Sequence, residues 1–322
     1  MVAAMKAIQF VAPRKIAFVD APMPTLQDGD VMVQCKWVGL CGSNMGQYAG
    51  DGIFANIKIP PGWAGHENIG TIVESRCPEW RVGQLVLAQP EGYFGFAEYF
   101  RAKPPGISAL PADAPDIPAL IMAQPLATVL RAMTQTENVI NQRCAVVGAG
   151  PMGLIWIHLL RQLGARQVIA TDVLDWRLTW AKRMGADVVI DASKEKVVDV
   201  VRELTGGKML DFVATATTSA EALASSVYLL RRDGRLFVFG MPHHNDQVFP
   251  WYAAFRSELK IINSVGPECA AFFQVATDMM LDGRASILGS VVTPRMPWDQ
   301  AEKAFEMYHE CTRDSMKLVL EL

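Results

Sequence analysis

The chain has 322 residues, enough for two domains with separate cores, and its 30 Lys and Arg against 33 Asp and Glu leave a net charge of −3. That balance excludes a nucleic-acid binder working through a basic surface, and no uninterrupted apolar run is long enough to span a membrane. Met1 to Lys6 is uncharged before its last residue, so no signal peptide is expected. Cys35, Cys41, Cys77, Cys144, Cys269 and Cys311 lack paired spacing, which points to a reducing, cytoplasmic setting rather than a disulfide framework.

From Lys6 to Val38 short β-like runs are broken by Pro13, Pro22, Pro24 and Asp28-Gly29-Asp30. Val31 to Val38 predicts a strand that delivers its end to the loop Gly39-Leu40-Cys41-Gly42-Ser43-Asn44. The run Pro60 to Glu67 (PPGWAGHE) follows, and Asn68 to Ser75 reads as another strand. Cys41, His66 and Glu67 are residue types that bind zinc, the cysteine as thiolate and the histidine through one ring nitrogen. Each alone has an ordinary explanation, since cysteine is often a small buried apolar residue and a lone histidine is often only hydrogen-bonded. Tyr48, Phe54, Trp63, Tyr93 and Phe94 are candidates to wall an apolar pocket, with ordinary core packing equally open for each.

Pro125 and the apolar spacing of Leu126, Val129, Leu130 and Met133 predict a helix leading into the next segment. There a β-leaning run, Cys144 to Val147, meets Gly148, Gly150 and Gly153 in GxGxxG spacing. In a dinucleotide fold the first glycine makes the tight turn, the second lets pyrophosphate approach the backbone, and the third lets helix and strand pack closely. The helix opening at Pro151 and Met152 would turn unpaired N–H groups toward the phosphates. Asp172 ends the following strand about 20 residues on, where a carboxylate accepts from a ribose hydroxyl. These features predict nicotinamide dinucleotide binding, with NAD favoured over NADP because Asp172 repels a 2′-phosphate. Arg177 could instead bind that phosphate or stack on adenine, and reads first as a surface or adenine-edge residue.

Cys144–Val147, Gln167–Thr171, Val188–Asp191, Phe212–Ala216, Leu236–Gly240 and Lys260–Ser264 are strand-like runs alternating with helical ones. They predict a doubly wound parallel sheet. Trp176, Trp180 and Met184 recur at helical spacing and read as helix packing. His243 and His244 read as an exposed polar loop, and His158 and His309 carry no partner motif. Cys269–Leu281 looks helical, Val291–Met307 continues the chain, and Met316–Leu322 would supply a final strand.

Taken in order, these pieces resemble the medium-chain dehydrogenase/reductase family, the zinc alcohol and polyol dehydrogenases, over essentially the whole chain. The matching stretches are MKAIQF, GLCGSN, PGWAGHENIG, FAEYF, QPLATVLRA, VGAGPMG and VVTPRMPWDQAEKAFE. The GHE and QPL segments look more like the sorbitol and threonine dehydrogenase branches than the ethanol branch. The resemblance implies an α/β fold. A GroES-like β-rich catalytic domain would occupy residues 1–124, a Rossmann domain 125–266, and the return to the catalytic domain 267–322. Substrate and nicotinamide would meet in the cleft between domains.

It also implies one catalytic zinc per chain on Cys41, His66 and Glu67, the last a direct or exchangeable ligand, with Ser43 taking the substrate alcohol's proton. The reaction would be NAD-dependent interconversion of a small-molecule alcohol, secondary or polyol, and its ketone or aldehyde. A homodimer or homotetramer would carry it out, with no nucleic acid or membrane partner.

Four departures bear on that expectation. Asn44 stands where the family has an aspartate partnering the zinc histidine, which should lower metal affinity. Gly46 replaces the relay histidine of many alcohol dehydrogenases, so the proton must leave through water or another group. Gln124 replaces a cysteine, aspartate or glutamate, and can at best hold the metal's water. Leu87 to Glu98 (LAQPEGYFGFAE) has none of the four cysteines of the family's structural-zinc lobe, so no structural zinc is expected. Two other readings stay open: a metal-free NAD(P)H-dependent quinone or enone reductase, and a catalytically silent dinucleotide-binding sensor.

Overall fold

A computed structural model describes residues 4–242, 246–264 and 266–322. His243 and His244 lie outside the described residues. The chain divides into two units, Met1–Thr128 with Pro267–Leu322, and Val129–Gly266.

The first unit opens with an antiparallel pair, β1 (Ala4–Ala12) and β2 (Lys15–Pro22). Then come β3 (Val31–Gly39), α1 (Asn44–Ala49), β4 (Asn68–Ser75), β5 (Leu85–Ala88), β6 (Tyr99–Ala102) and β7 (Ile107–Ala109), and α2 (Ala123–Met133) carries the chain from the first unit into the second. β3 bonds antiparallel to both β4 and β6. Val31, Met32 and Val33 are buried in succession, so the alternation expected of a half-exposed strand is lost where the sheet is covered. The aromatic centre of this unit is Phe10, Tyr48, Phe96 and Phe305, mostly edge-to-face at 5.2–6.3 Å. Tyr48 is therefore core, stacked on Phe305, and not a pocket wall.

The second unit alternates β8 (Arg143–Val147), α3 (Pro151–Gln162), β9 (Gln167–Asp172), α4 (Asp175–Arg183), β10 (Val188–Asp191) and α5 (Val197–Leu204). It continues with β11 (Leu210–Thr215), α6 (Ala220–Ser226), β12 (Leu230–Val238), α7 (Trp251–Arg256) and β13 (Lys260–Asn263). The sheet is parallel in the order β10-β9-β8-β11-β12-β13, a doubly wound topology that reverses direction between β8 and β11. β12 begins six residues before the predicted run because Arg235 is a buried strand residue. Its guanidinium is held by the Asn138 carbonyl at 3.2 Å and by Gln142, so a charge interrupts the apolar signal without interrupting the strand. Trp176 and Met184 are buried on and just beyond α4, as helix packing requires, and Arg183 lies 4.0 Å over the Trp180 ring.

The chain returns to the first unit through α8 (Phe273–Leu281), β14 (Val292–Pro297), α9 (Ala301–His309) and β15 (Lys317–Glu321). Of the helix-like stretch at 269–281, Phe273–Leu281 is α-helical, and the residues before it belong to the 3-10 segment Gly266–Phe272. β15 sits between β14 and β3, pairing Val319 with Gly39 and completing the order β14-β15-β3-β4-β5-β7. The last strand thus runs beside the end of β3. Among the described residues, no helix is long and apolar enough to cross a membrane.

Candidate active site and dinucleotide turn

β3 ends where β4 begins, with Val38 opposite Asn68, so residues just past one strand face residues just before the other. This register brings together the Cys41 sulfur, a His66 ring nitrogen and a Glu67 carboxylate oxygen, all within 4.8 Å of one another. His66 Nδ1 lies 2.9 Å from the Ala64 carbonyl, which fixes the ring and leaves Nε2 for coordination. Burial opposes charge on His66, but the hydrogen bond and charge of Cys41 outweigh it and lift the imidazole to about 9. For Cys41, burial and Glu67 push the thiol up, yet His66 and Lys317 together bring it below its ordinary value. Sulfur and ring therefore stabilise each other's charged forms. Tyr93 meets the His66 ring edge-on at 6.1 Å.

Glu67 is fully buried, and Lys317, 1 % exposed, forms an ion pair with its Oε2. The same ammonium donates to the Leu40 carbonyl at 2.9 Å. Both carboxylate oxygens of Glu67 are buried with no hydrogen-bond partner, and Oε2 alone meets the ammonium. Gly39 makes room for the carboxylate, since a Cβ there would collide with Glu67 Oε2, and its N–H donates to the Glu67 carbonyl at 2.8 Å. Sequence reasoning missed Lys317. Its signal was a lysine inside the apolar run Met316 to Leu320, where a buried charge demands a partner.

Asn44 differs from its expected surroundings. Its Oδ1 accepts from the Cys41 N–H at 2.9 Å and its Nδ2 donates to the Ala64 carbonyl at 3.0 Å, the carbonyl that His66 also uses. An amide serves as donor and acceptor at once, so residue 44 ties the two loops together, and the ring's own partner is Ala64. Gln124 is also committed elsewhere. Its Nε2 lies 3.7 Å from the Cys269 sulfur, which in turn donates to Gln89 Oε1 at 3.7 Å. Burial pushes the Cys269 thiol up. Cys269 was another residue sequence reasoning passed over, as a cysteine without spacing. Ser43 is half-buried in the turn closed by the Asn44 N–H on the Cys41 carbonyl, and Gly46 is buried within α1. Of the other aromatics, Trp63 packs on the core while Phe94 is exposed.

The dinucleotide turn is built from backbone. Gly148 has φ +96°, and a Cβ there would press on the Ala216 carbonyl. Gly150 is extended and precedes α3, whose first turn holds Pro151 and the half-buried Met152. A Cβ on Gly153 would overlap the Gly148 carbonyl oxygen, so helix and turn meet only because none is present. Asp172, buried at the end of β9, accepts from the Ala149 N–H at 2.8 Å and the Leu174 N–H at 3.0 Å. Arg177 Nη1 is 3.8 Å from Asp172, and its guanidinium carbon sits 5.4 Å from the Trp176 ring centroid. The glycine turn, Asp172 and Arg177 therefore come together, and Arg177 is half-buried beside the turn rather than at the open surface.

Residues 27–111 match the alcohol dehydrogenase GroES-like domain, and residues 151–282 match the zinc-binding dehydrogenase family. The chain belongs to the zinc-type medium-chain dehydrogenases. It is an oxidoreductase of the alcohol and polyol dehydrogenase kind. Erythritol/L-threitol dehydrogenase of Mycolicibacterium smegmatis is 25% identical over 94% of each chain. D-xylulose reductase A of Aspergillus oryzae is 28% identical over 90% of each. The crystal structure of L-idonate 5-dehydrogenase from Escherichia coli superposes with a TM-score of 0.85, at 21% identity, covering 100% of this chain and 99% of that one.

Proposed function

We propose that this dehydrogenase oxidises a secondary alcohol or polyol to its ketone, reversibly, with NAD as hydride acceptor and one zinc held by Cys41, His66 and Glu67. The observation that carries the reading is the convergence of a cysteine sulfur, an imidazole and a carboxylate whose buried oxygens lack hydrogen-bond partners. That donor set fits zinc, and a buried unpartnered carboxylate oxygen is costly unless a cation completes it. When bound, zinc supplies Lewis acidity toward the alcohol oxygen, and NAD supplies the carbon that takes the hydride. The chain's own residues do the rest. Ala64 and Asn44 fix the two ligand loops, and Ser43, two residues past Cys41, receives the alcohol's proton. The turn at Gly148 to Gly153, with Pro151 and Met152, leaves space for pyrophosphate. Asp172 takes the ribose hydroxyls while its charge disfavours a 2′-phosphate, and Arg177 borders the adenine.

The test is metal content per chain by mass spectrometry, alongside a panel of secondary alcohols and polyols with NAD. One zinc per chain and NAD reduction, both lost in Cys41→Ala, are expected. NAD(P)H consumption on quinones or enones with a chelator present would favour a metal-free reductase instead, and cofactor binding without turnover would favour a sensor.

The partner we propose is a second copy of the chain at the β13 edge of the parallel sheet. Among the described residues β13 bonds on one side only, to β12. Next to it in sequence, Trp251, Tyr252 and Phe255 of α7 are 67%, 79% and 79% exposed. An open edge beside aromatic side chains pairs with its own two-fold copy and so removes both liabilities. Sedimentation of Tyr252→Glu/Phe255→Glu should show a monomer; a mass equal to the unaltered protein's would refute this interface.

A further inference from the structure

We infer that Lys317 is a positioning residue for Glu67, holding the carboxylate as a one-oxygen metal ligand and moderating its grip; the inference rests on the zinc reading above. The geometry begins with the backbone. The Leu40 N–H donates to the Leu318 carbonyl at 2.9 Å, and Val319 pairs with Gly39, so β15 is fixed against the segment that carries Cys41. From that fixed strand the Lys317 ammonium reaches both the Leu40 carbonyl and Glu67 Oε2. It therefore links the residue before one ligand to the side chain of another. The carboxylate lies over Gly39, where a Cβ would collide with Oε2, so its seat depends on the backbone of the same strand end. Neither carboxylate oxygen has a hydrogen-bond partner, and the ion pair reaches Oε2, so Oε1 is the oxygen not engaged by the ammonium.

Two consequences follow from charge. A buried ammonium on one carboxylate oxygen withdraws electron density and repels a second cation, so it weakens metal binding. It also occupies the oxygen a bidentate carboxylate would need, which keeps a coordination position open for substrate, as a catalytic zinc requires. Removing the ammonium alone would leave a buried, uncompensated carboxylate that a dication satisfies. A lysine that merely packed would behave otherwise. Its loss would lower stability without tightening metal binding or changing coordination.

The experiment uses the full chain loaded with Zn2+ or Co2+, comparing Lys317→Met, Lys317→Gln, Lys317→Arg, Glu67→Gln and Lys317→Met/Glu67→Gln. Dissociation constants come from chelator competition, and coordination number from the visible absorption of bound cobalt. Lys317→Met and Lys317→Gln should bind either metal more tightly than the unaltered protein, because a like charge beside the cation is gone. Their cobalt bands should weaken as coordination rises from four to five. Lys317→Arg should match the unaltered protein, and in the Glu67→Gln background the lysine change should have no effect on affinity. Using two neutral variants guards against one that does not fold. Affinity in the neutral variants that is unchanged or weaker, with a four-coordinate spectrum, overturns the inference. If Cys41→Ala abolishes binding while Lys317→Met behaves as the parent, the zinc reading stands and only the Lys317 role falls. If the unaltered protein binds neither metal, both fall.

Discussion

The metal centre and the dinucleotide turn reach their shapes by opposite means. At the metal centre four ionisable side chains from distant parts of the sequence are gathered in one place. Cys41 is balanced by His66, and Glu67 by Lys317. No member of either pair is comfortable there alone, because burial penalises each unpaired charge. The turn instead consists of backbone and missing side chains, with a single carboxylate, Asp172, satisfied by amides and by Arg177. A change in the first should spread through its partners, whereas a change in the second should act locally.

The largest expected effect tests the spreading. His66→Ala should lower alcohol oxidation by about 10³-fold or more, and Cys41→Ala/His66→Ala should be scarcely worse than either single change, because the ligands act as a unit. Steady-state kcat/KM for the three variants decides it. Effects that multiply across the double variant would break the comparison.

Next comes the local side. Gly153→Ala forces a methyl group onto the Gly148 carbonyl, where both neighbours are backbone and neither can yield cheaply. A stability loss of about 1–3 kcal/mol is expected from overpacking. NAD affinity should fall while zinc content stays at the parent value. Thermal unfolding, calorimetric titration with NAD and metal analysis read these separately, and a loss of zinc would contradict local action.

The same contrast governs what could be read in the residues. Gly148, Gly150, Gly153 and Asp172 lie within one short stretch, and their roles depend on turn sterics that spacing encodes directly. The parallel sheet was legible for the same reason, since each strand is apolar and regularly punctuated, and it blurred only at β12, where Arg235 hides a strand. Cys41, His66 and Glu67 were legible as chemistry through their resemblance to known motifs. Lys317 was not, because its meaning is a contact 250 positions away in sequence, created by β15 inserting beside β3. Asn44 and Gln124 were visible as departures, but their partners, Ala64 and Cys269, are set by tertiary packing. Tyr48 carried an aromatic's ambiguity, which only burial against Phe305 resolves.

Charge at Asp172 gives a smaller and more selective effect. Asp172→Asn keeps the size of the side chain and removes the repulsion toward a 2′-phosphate. The preference for NAD over NADP, as a ratio of kcat/KM values, should fall by about tenfold, equivalent to ~1.4 kcal/mol. An unchanged ratio would mean that Arg177 or another group sets the preference.

The smallest effect concerns a residue that lies outside both sites. Tyr48 donates to Glu306 at 2.9 Å, and Arg14 holds the same carboxylate. The Arg14 hydrogen bond, then that of Tyr48, keeps Glu306 below its ordinary value near 4.5. Burial, with Glu306 beside it, pushes the Tyr48 phenol from 10 up to about 12, so it stays a donor at neutral pH. Tyr48→Phe keeps the ring stack with Phe305 and removes only this hydrogen bond. A carboxylate with a lowered folded pKa contributes stability above its ordinary value and loses it as acid titrates it. A phenol with a raised one contributes below 10 and loses it as pH rises toward about 12. The variant should therefore melt slightly lower than the parent, by no more than ~4 °C, across the neutral range. The gap should close at both acid and alkaline extremes. Because Tyr48 belongs to the core, kcat/KM and metal content should be those of the parent; a change in either would return it to the wall of the substrate pocket.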